Sequence, residues 1–311
     1  ENKDLFKYKF FKKVNGENKI IIKPGSWTID KQIHIPKGYT LVCGPKTKID
    51  LINSSFISSS SKMSFIGGNF ENGEQIIIHS TDSTGQGLFL FNTNELSYFK
   101  NIEINNLSNP SRGRWNLFGT LNFYESDVQI YNCVIKNNNS EDGINIIRSK
   151  FHIEKCLFEN IYSDAIDLDF SSGLISNSNF FNIKNDALDF SGSFSEIFNL
   201  RITDAADKGI SIGERSLLTV DNVDIINSNI GVACKDDSEV IINKIKISKC
   251  NIGFAVFQKK PEYGSAYIKA SKVTINDTKK SYLIEKGSRI NFDNKVIEGD
   301  KENLKELIYG N

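Results

Sequence analysis

A four-residue string recurs at a constant 22-residue interval in the middle of this 311-residue chain. Each strong copy has Asp or Lys, then Gly or Ala, then Ile or Leu, then Asn, Asp or Ser. The four strong copies and two weaker ones begin at Asp142, Asp164, Asp186, Lys208, Ile230 and Ile252. A fixed period with drifting polar residues is typical of a solenoid, in which each repeat forms one turn of the chain.

The repeat is suited to strands rather than helices. Runs such as 150–153 and 196–200 alternate and are rich in β-branched and aromatic residues, and Asn, Ser, Asp and Gly separate them. Helical repeats commonly need about 33 residues or more. A 22-residue unit can instead form three short strands and three bends. The sequence therefore predicts an all-β, right-handed parallel β-helix.

The two ends of the chain fit the same architecture. Residues 20–29 and 33–41 read as strands joined by Gly and Pro-Gly turns, and 301–308 has the apolar spacing of a short amphipathic helix that caps the solenoid. We expect one β-helix domain over 1–311. Its predicted parts are an N-terminal cap with the first coils, the most regular coils, and C-terminal coils with the helical cap, at 1–60, 118–264 and 265–311.

Composition limits the functional classes. The 38 basic and 38 acidic residues balance, so net charge predicts no nucleic-acid or membrane partner. No apolar stretch approaches the roughly 18–20 residues of a membrane span. The five cysteines form no C-x-x-C pair, and we expect buried thiols rather than zinc, redox or disulfide chemistry. The first residue is Glu1, as in a mature or trimmed chain, and no signal peptide is visible.

The register sorts the side chains of each repeat into columns. Side chains alternate across a strand, so the third and fifth residues, such as Ile166 and Leu168, should point into the core. The second, fourth and sixth residues should then point outward. Gly or Ala at the second position predicts a smooth strip against which a ligand can lie.

Three aspartates fall in the outward columns of neighbouring strands, namely Asp167, Asp169 and Asp189. Neighbouring strands are about 4.8 Å apart, and two bare carboxylates at that distance repel by some 3–4 kcal/mol at an effective dielectric near 20. Such a patch must share a proton, meet a cation or bind a metal ion, unless it is only a solvated acidic face. A second set precedes the strands and is expected to cap backbone N–H groups at the bends: Asp142, Asp164 and Asp186.

Basic residues follow the acidic patch. Lys208 replaces Asp at the start of its repeat, and Lys235 occupies an outward position about 14 Å, or three strands, from Asp169. The groove is therefore predicted to be acidic at one end and basic at the other. Residues at the following bends belong to the predicted site, with Glu214 as a catalytic candidate and Arg215 and Lys259 as candidates for substrate binding. The alternative for each of them is a surface salt bridge.

Two irregular segments flank the predicted groove, at 108–116 and 259–264. Loops on a solenoid commonly build its binding face. The aromatic and Arg side chains of these segments could stack on sugars or pair with carboxylates. The alternative is that both segments are ordinary surface loops. The remaining predicted substrate-binding residues are Arg112, Arg114, Trp115, Arg148 and Tyr263.

The strands at 20–29 and 33–41, with Pro24-Gly25-Ser26-Trp27 and Ile35-Pro36-Lys37-Gly38, resemble the opening turns of pectate-lyase-like β-helix proteins. That fold acts mostly on polysaccharides. The resemblance implies a lyase for an acidic glycan, in which Ca²⁺ held by aspartates neutralises a uronate carboxylate and a Lys or Arg removes the C5 proton. The implied metal ligands are Asp167, Asp169 and Asp189, and the implied bases are Lys208 or Lys235.

Two other functions stay open. A glycoside hydrolase would use two carboxylates, Asp167 with Asp189 or Asp169 with Asp189. The chain lacks the Gly-His-Gly and Arg-Ile-Lys strings of polygalacturonases, and we expect none of its histidines in the groove columns, which weakens a C5-epimerase: His34, His79 and His152. A non-catalytic glycan binder, envelope scaffold or phage-type fibre would have a uniform face, whereas the charged variation here is confined to a few turns.

A closer resemblance covers 118–264, through strings such as 140–149, 163–170 and 207–216. These look like a group of bacterial right-handed β-helix proteins, some joined to CotH-like kinase domains or linked to envelope polysaccharides. The resemblance implies a bacterial, secreted, periplasmic or cell-surface protein. It also implies a polysaccharide partner and fusion to, or association with, other envelope-polysaccharide proteins.

Overall fold

The computed structural model describes residues 5–310 and divides into two compact units, 1–162 and 163–311. Each unit is a parallel β-solenoid, and the two together contain about 12 turns of about 22 residues, although some coils of the first unit are longer. A typical coil has three strands, each hydrogen-bonded in parallel to the equivalent strand of the next coil. The predicted fold class is confirmed.

The described part of the first unit has three parallel sheets and two antiparallel strand pairs, one between its first two strands and one in a short hairpin at 111–116. Its strands are β1 (Phe11–Lys13), β2 (Lys19–Ile22), β3 (Gly25–Ile29), β4 (Ile33–Ile35), β5 (Thr40–Cys43), β6 (Thr47–Leu51), β7 (Ile57–Ser59), β8 (Met63–Ile66), β9 (Ile76–His79), β10 (Leu88–Lys100), β11 (Ile102–Asn105), β12 (Ser111–Arg112), β13 (Trp115–Asn116), β14 (Gly119–Tyr131), β15 (Val134–Lys136), β16 (Asp142–Ile147), β17 (Lys150–Glu154) and β18 (Leu157–Ile161). Two short 3₁₀ helices span Leu5–Lys7 and Phe70–Asn72. We call β4, β7, β16 and the first halves of β10 and β14 the first front sheet.

The second unit also has three parallel sheets. Its strands are β19 (Asp164–Asp169), β20 (Ser172–Ser176), β21 (Asn179–Ile183), β22 (Leu188–Ser191), β23 (Phe194–Ala205), β24 (Lys208–Gly213), β25 (Leu217–Ile226), β26 (Ile230–Lys235), β27 (Glu239–Ile242), β28 (Ile245–Ser248), β29 (Ile252–Phe257), β30 (Tyr267–Ala270), β31 (Val273–Asn276), β32 (Lys280–Ile284), β33 (Arg289–Phe292) and β34 (Lys295–Glu298). We call β19, β22, β24, β26, β29 and β32 the second front sheet.

The predicted inward columns form the core of the second unit. Ile166, Leu188 and Ile210 are neighbours in register on successive front strands, and all are fully buried. The five cysteines are free and buried, as predicted. At the bends, Asn residues adopt the left-handed conformation that Asn tolerates, and their amides form ladders between coils, such as Asn199 to Asn177 at 3.1 Å.

The predicted smooth strip is wrong. Ala165 and Ala187 at the second position are fully buried, and a Cβ atom on Gly209 would lie 2.8 Å from the Gly231 carbonyl oxygen and 2.7 Å from Ile225. This position follows a bend, where the residue faces the core and the next coil's backbone. Small residues are required here by close packing, and they leave no room for a ligand.

The predicted C-terminal helix is present as α1 (Leu304–Tyr309). Leu304 is fully buried against outward-facing side chains of the second front sheet, namely Ala233, Ala255 and Leu283. The helix thus covers the outer face of β26, β29 and β32. None of the helices described between residues 5 and 310 has the length and apolarity needed to cross a membrane.

Candidate functional site

The second front sheet presents the three predicted aspartates on its outer side. Asp167 and Asp189 are direct partners in register, and Asp169 lies opposite Ser191 on the same pair of strands. All three side chains are partly buried, whereas the next residues along the strands, Leu168 and its register partner Phe190, are fully buried. The structure therefore brings Asp167, Asp169 and Asp189 together on one face.

Lys235 reaches the acidic patch instead of lying beyond it. Its Nζ donates to the Ser211 hydroxyl at 2.8 Å and lies 3.9 Å from Asp189 Oδ1. The side chain crosses β24 over Gly213, where a Cβ atom would lie 3.5 Å from Nζ. The predicted separation of acidic and basic ends is wrong here, because spacing between Cα atoms ignores the reach of a lysine side chain.

Lys208 is buried in an ion-pair cluster. Its Nζ lies 3.3 Å from Asp186 Oδ1 and contacts Asp207, and the Tyr309 ring of α1 covers it at 5.4 Å from the ring centre. Burial alone would lower the pKa of Lys208, but the Asp186 and Asp207 carboxylates outweigh burial and raise it. A base needs a lowered pKa, so these contacts argue against Lys208 as the predicted base.

Two of the three aspartates at the bends bind backbone N–H groups, as predicted, but those of the next coil, whereas Asp142 Oδ2 accepts the Asn145 side-chain N–H at 3.0 Å. Asp164 Oδ1 accepts the Asp186 N–H at 2.8 Å, and Asp186 Oδ1 accepts the Lys208 N–H at 3.0 Å. Burial and the nearby Asp189 charge raise the pKa of Asp164 to about 6, against the opposing effect of the hydrogen bonds that it accepts from the Asp186 N–H and the Asn185 side chain. Burial also raises the pKa of Asp186, partly offset by Lys208.

Asp169 has a second acidic neighbour at the following bend. Burial, and then the charges of Glu214 and Asp189, raise the pKa of Asp169, and Lys260 partly offsets them. Glu214 itself contacts the Lys260 ammonium group. The predicted catalytic residue Glu214 is thus held beside Asp169 and tied to the 259–264 loop.

The 259–264 loop brings three predicted binding residues together. The Arg215 guanidinium lies 5.4 Å from the centre of the Tyr263 ring, and Asp236 Oδ1 accepts the Lys259 N–H at 2.6 Å. Burial, followed by the charges of Lys235 and Lys208, lowers the pKa of Lys259. The Tyr309 ring lies 5.0 Å from Lys259 Nζ.

The predicted calcium ligands do not form a metal cage. Between residues 5 and 310, no three His, Cys, Asp or Glu side chains are grouped so as to hold a metal ion. Asp189 faces the Lys235 ammonium group, which would repel a cation at the same place. We therefore derive no step through a metal, and calcium binding stays a prediction.

The other predicted binding residues lie in the first unit. Arg112 and Trp115 pair across the short β12–β13 hairpin, and Arg112 and Arg114 are exposed. Trp115 packs against Phe56 and Phe89 at ring distances of 5.9 and 5.8 Å. Arg148 follows β16 and donates to the Tyr124 hydroxyl at 3.0 Å.

The expectation that no histidine lies in the groove columns is wrong for His34. Strand pairing places His34, Ser58, Phe89, Asn122 and Asn145 in one outward column of the first front sheet. His34 stacks near Phe91 at 5.8 Å and contacts the Ser58 hydroxyl at 3.1 Å. The loosened repeat before residue 120 hid this register in the sequence.

Sequence reasoning missed three parts of the second-unit site: the raised pKa of Asp164, the Ser211 partner of Lys235 and the Tyr309 cover. Gly213, a small residue between Lys235 and the acidic strands, was the one available signal that a long side chain could cross there. Nothing in the repeat indicated where the helix would pack.

Residues 164–310 match a family model described as the right handed beta helix region. No curated protein matches the chain. Among solved structures, a variant GH87 alpha-1,3-glucanase catalytic domain in complex with tetrasaccharides gives a TM-score of 0.56 at 15% identity, over 86% of this chain and 62% of that one. The Agl-KA catalytic domain gives 0.51 at 13% identity, over 88% and 62%.

A periplasmic alginate epimerase AlgG double mutant gives a TM-score of 0.47 at 13% identity, over 85% of this chain and 79% of that one. The chain spans 62% of the GH87 glucanase domain and of the Agl-KA domain, and at such low identities these likenesses show the fold alone. The strand pairing, the family-model match over 164–310 and the likeness to the GH87 glucanase domain agree on a right-handed parallel β-helix fold.

Proposed function

We propose that the second front sheet binds a polysaccharide and hydrolyses it, with Asp169 and Asp189 as the carboxyl pair. The observation that carries this proposal is that the two outward carboxyl groups have different surroundings. Asp169 lies beside Glu214 and Asp189, whereas Asp189 lies 3.9 Å from the Lys235 ammonium group. Such a pair can divide the acid and base roles of glycoside hydrolysis.

Asp169 is the proposed proton donor. Burial and its acidic neighbours raise its pKa, so it retains a proton to higher pH than an ordinary aspartate does. Asp189 is the proposed base, because its buried Oδ1 atom lies 3.9 Å from the Lys235 ammonium group and, within the described residues, has no hydrogen-bond partner. Asp169 would protonate the glycosidic oxygen while Asp189 takes a proton from the attacking water.

The spacing of the pair favours inversion at the anomeric carbon. Asp169 and Asp189 are on neighbouring strands and two residues out of register, which places their Cα atoms about 8 Å apart. Because both are short side chains of equal length on the same face of the sheet, we take a similar separation for their carboxyl groups. Inverting hydrolases commonly separate their carboxyl groups by about 6.5–9.5 Å, leaving room for a water molecule. A retaining mechanism would require about 5 Å.

The fold likeness to α-1,3-glucanase catalytic domains supports glucans as the first substrates to test. The assay would measure new reducing ends from neutral glucans and from uronate polymers, together with ultraviolet absorption from unsaturated products. We expect reducing ends without that absorption. Asp169→Asn and Asp189→Asn should each lower kcat by about 10²–10⁴-fold, the usual worth of a general acid or base.

The matched control is Asp221→Asn, which removes an exposed aspartate on β25 in the same unit. Its kcat should equal that of the unaltered chain. Turnover that persists in the Asp169 and Asp189 variants would refute the assignment. If none of the tested polymers is cleaved, a glycan-binding or structural role becomes the favoured hypothesis.

The calcium-assisted lyase is the second candidate, and one observation favours a lyase. The pKa of Lys259 is lowered by burial and by Lys235 and Lys208, as a lysine base requires. A lyase would release ultraviolet-absorbing products from uronate polymers and lose them in Lys259→Met. Calcium dependence that disappears in Asp189→Ala would support the predicted metal. A secreted, periplasmic or cell-surface location also remains a prediction, tested by fractionating the cells that produce the protein.

A further inference from the structure

The second unit has an open groove of about 640 Å³ outside the carboxylate site. It runs along the bends that lead from β21, β23, β25 and β28 into the following strands of the second front sheet. Its volume is within the roughly 300–1,000 Å³ typical of ligand sites. Nothing in the proposed hydrolysis uses this groove.

A buried hydroxyl lines the groove without a protein partner. Ser228 is only 5% exposed, and across residues 5–310 its Oγ has no hydrogen-bond partner. Leaving a buried polar group unpaired is costly, and a ligand hydroxyl entering the groove could satisfy it.

The rest of the lining combines an aromatic ring with amides and small residues. Phe181 is 44% exposed, and the small side chains of Ala205 and Ala206 leave space in the groove. Asn251 donates to Asn229 at 2.9 Å, which leaves its own carbonyl oxygen to accept a further hydrogen bond. An apolar ring face beside groups that both donate and accept hydrogen bonds suits a pyranose ring.

The lining has three charged side chains, the cations Lys184 and Lys249 and the anion Asp204, so its net charge is only +1. Lys184 donates to the Asn182 side chain at 2.8 Å, and Asp204 accepts from the Asn227 side chain at 2.5 Å. A lining of this kind gives no strong field that would select an anionic ligand. The ligand best matched to it is an uncharged, hydroxyl-rich chain.

We propose that this groove is a second glycan-binding site, which holds a neutral oligosaccharide by stacking on Phe181 and by hydrogen bonds to Ser228 and Asn251. It is separate from the carboxylate pair. Binding here would keep a polysaccharide attached to the protein whether or not the front sheet cleaves it.

The test is a calorimetric or NMR titration of the Asp189→Asn chain with neutral tetrasaccharides of α-1,3-, α-1,4-, β-1,3- and β-1,4-linked glucose. Using this variant removes the proposed hydrolysis, so failure of the hydrolase proposal does not affect the readout. We expect at least one ligand to bind, and Phe181→Ala to weaken it by about five- to tenfold. The matched control is Phe194→Ala, another exposed phenylalanine of the same unit, which should not change the affinity.

Ser228→Ala separates a ligand role from a structural one. It should lower the affinity about threefold without lowering the thermal unfolding temperature, because it removes an unpaired buried group rather than a hydrogen bond. The proposal is overturned if no tetrasaccharide binds up to about 10 mM, well above a Kd of about 1 mM. It is also overturned if Phe181→Ala and Ser228→Ala, confirmed as folded by circular dichroism, bind like the parent chain.

Discussion

The two front sheets have the same kind of outward column but different chemistry. In the first unit the column contains an imidazole, an aromatic ring and amides: His34, Ser58, Phe89, Asn122 and Asn145. In the second it begins with two carboxylates and ends in small apolar residues beneath α1: Asp167, Asp189, Ser211, Ala233 and Ala255. The parallel register determines which residues lie on the same face. The types of side chain at those positions determine whether the face can stack on a sugar ring or transfer a proton.

The same contrast applies to stability. The first column can satisfy its side chains by ring packing and neutral hydrogen bonds, such as His34 with Ser58. The second brings buried charges onto the sheet, and these must be compensated one by one. Lys208 with Asp186 and Lys235 with Asp189 are the result. A buried charge that loses its partner is far more costly than a lost contact between neutral groups.

The largest expected effect is the loss of stability when a buried charge loses its partner. Asp186→Ala should lower the free energy of unfolding by about 3–5 kcal/mol, because it leaves the Lys208 ammonium group buried at 5% exposure beside one remaining carboxylate. Urea unfolding measures the change. Arg215→Ala, which breaks a mostly exposed pair with Asp237, is the matched control and should cost about 1 kcal/mol or less.

A double variant sharpens this test. Asp186→Ala combined with Lys208→Met should recover most of the lost stability, because replacing both members of a buried pair with apolar groups is often close to neutral. If the double variant is as unstable as Asp186→Ala alone, the loss comes from the Asp186 hydrogen bond to the Lys208 backbone instead of the charge.

The repeat predicted much of the second unit and little of the first. A strict 22-residue spacing aligned Asp167 with Asp189 and separated them from the capping Asp164 and Asp186, as the pairing confirms. The column of His34 was not predicted, because looser spacing before residue 120 removed the register on which that inference depends. Side-chain reach, as for Lys235 across Gly213, and the packing of α1 are long-range results that no local pattern records.

A smaller effect should appear as a pH dependence. The folded pKa of Asp164, about 6, is above the value near 3.9 of an unfolded aspartate. Its contribution to stability is therefore fully present below about pH 4 and is lost as pH rises through 6. Asp164→Asn keeps an acceptor for the Asp186 N–H but cannot ionise. The free energy of unfolding of Asp164→Asn, relative to that of the unaltered chain, should therefore rise by about 1–2 kcal/mol between pH 4 and pH 8, allowing for solvent screening.

Urea unfolding at a series of pH values would measure this gain. The matched control in the first unit is Asp127→Asn, a partly buried aspartate that accepts the Lys150 N–H of the next coil at 2.7 Å. An Asp164→Asn curve parallel to that of the unaltered chain across the whole pH range would show that burial and the Asp189 charge do not perturb Asp164.

The smallest expected effect concerns the exposed Trp115 ring of the first unit, which should contribute to glycan binding and not to the chemical step. Trp115 is 40% exposed and packs on Phe56 and Phe89, so its free face can stack on a sugar ring. Trp115→Ala should weaken the binding of a neutral tetrasaccharide about three- to tenfold in a calorimetric titration and leave kcat on the cleaved polysaccharide unchanged, since ring stacking contributes about 0.5–1.5 kcal/mol. Phe118→Ala, an exposed ring of the same unit, should change neither constant. A fall in kcat for Trp115→Ala as large as that for Asp189→Asn would erase the distinction between a binding surface in the first unit and a reactive one in the second.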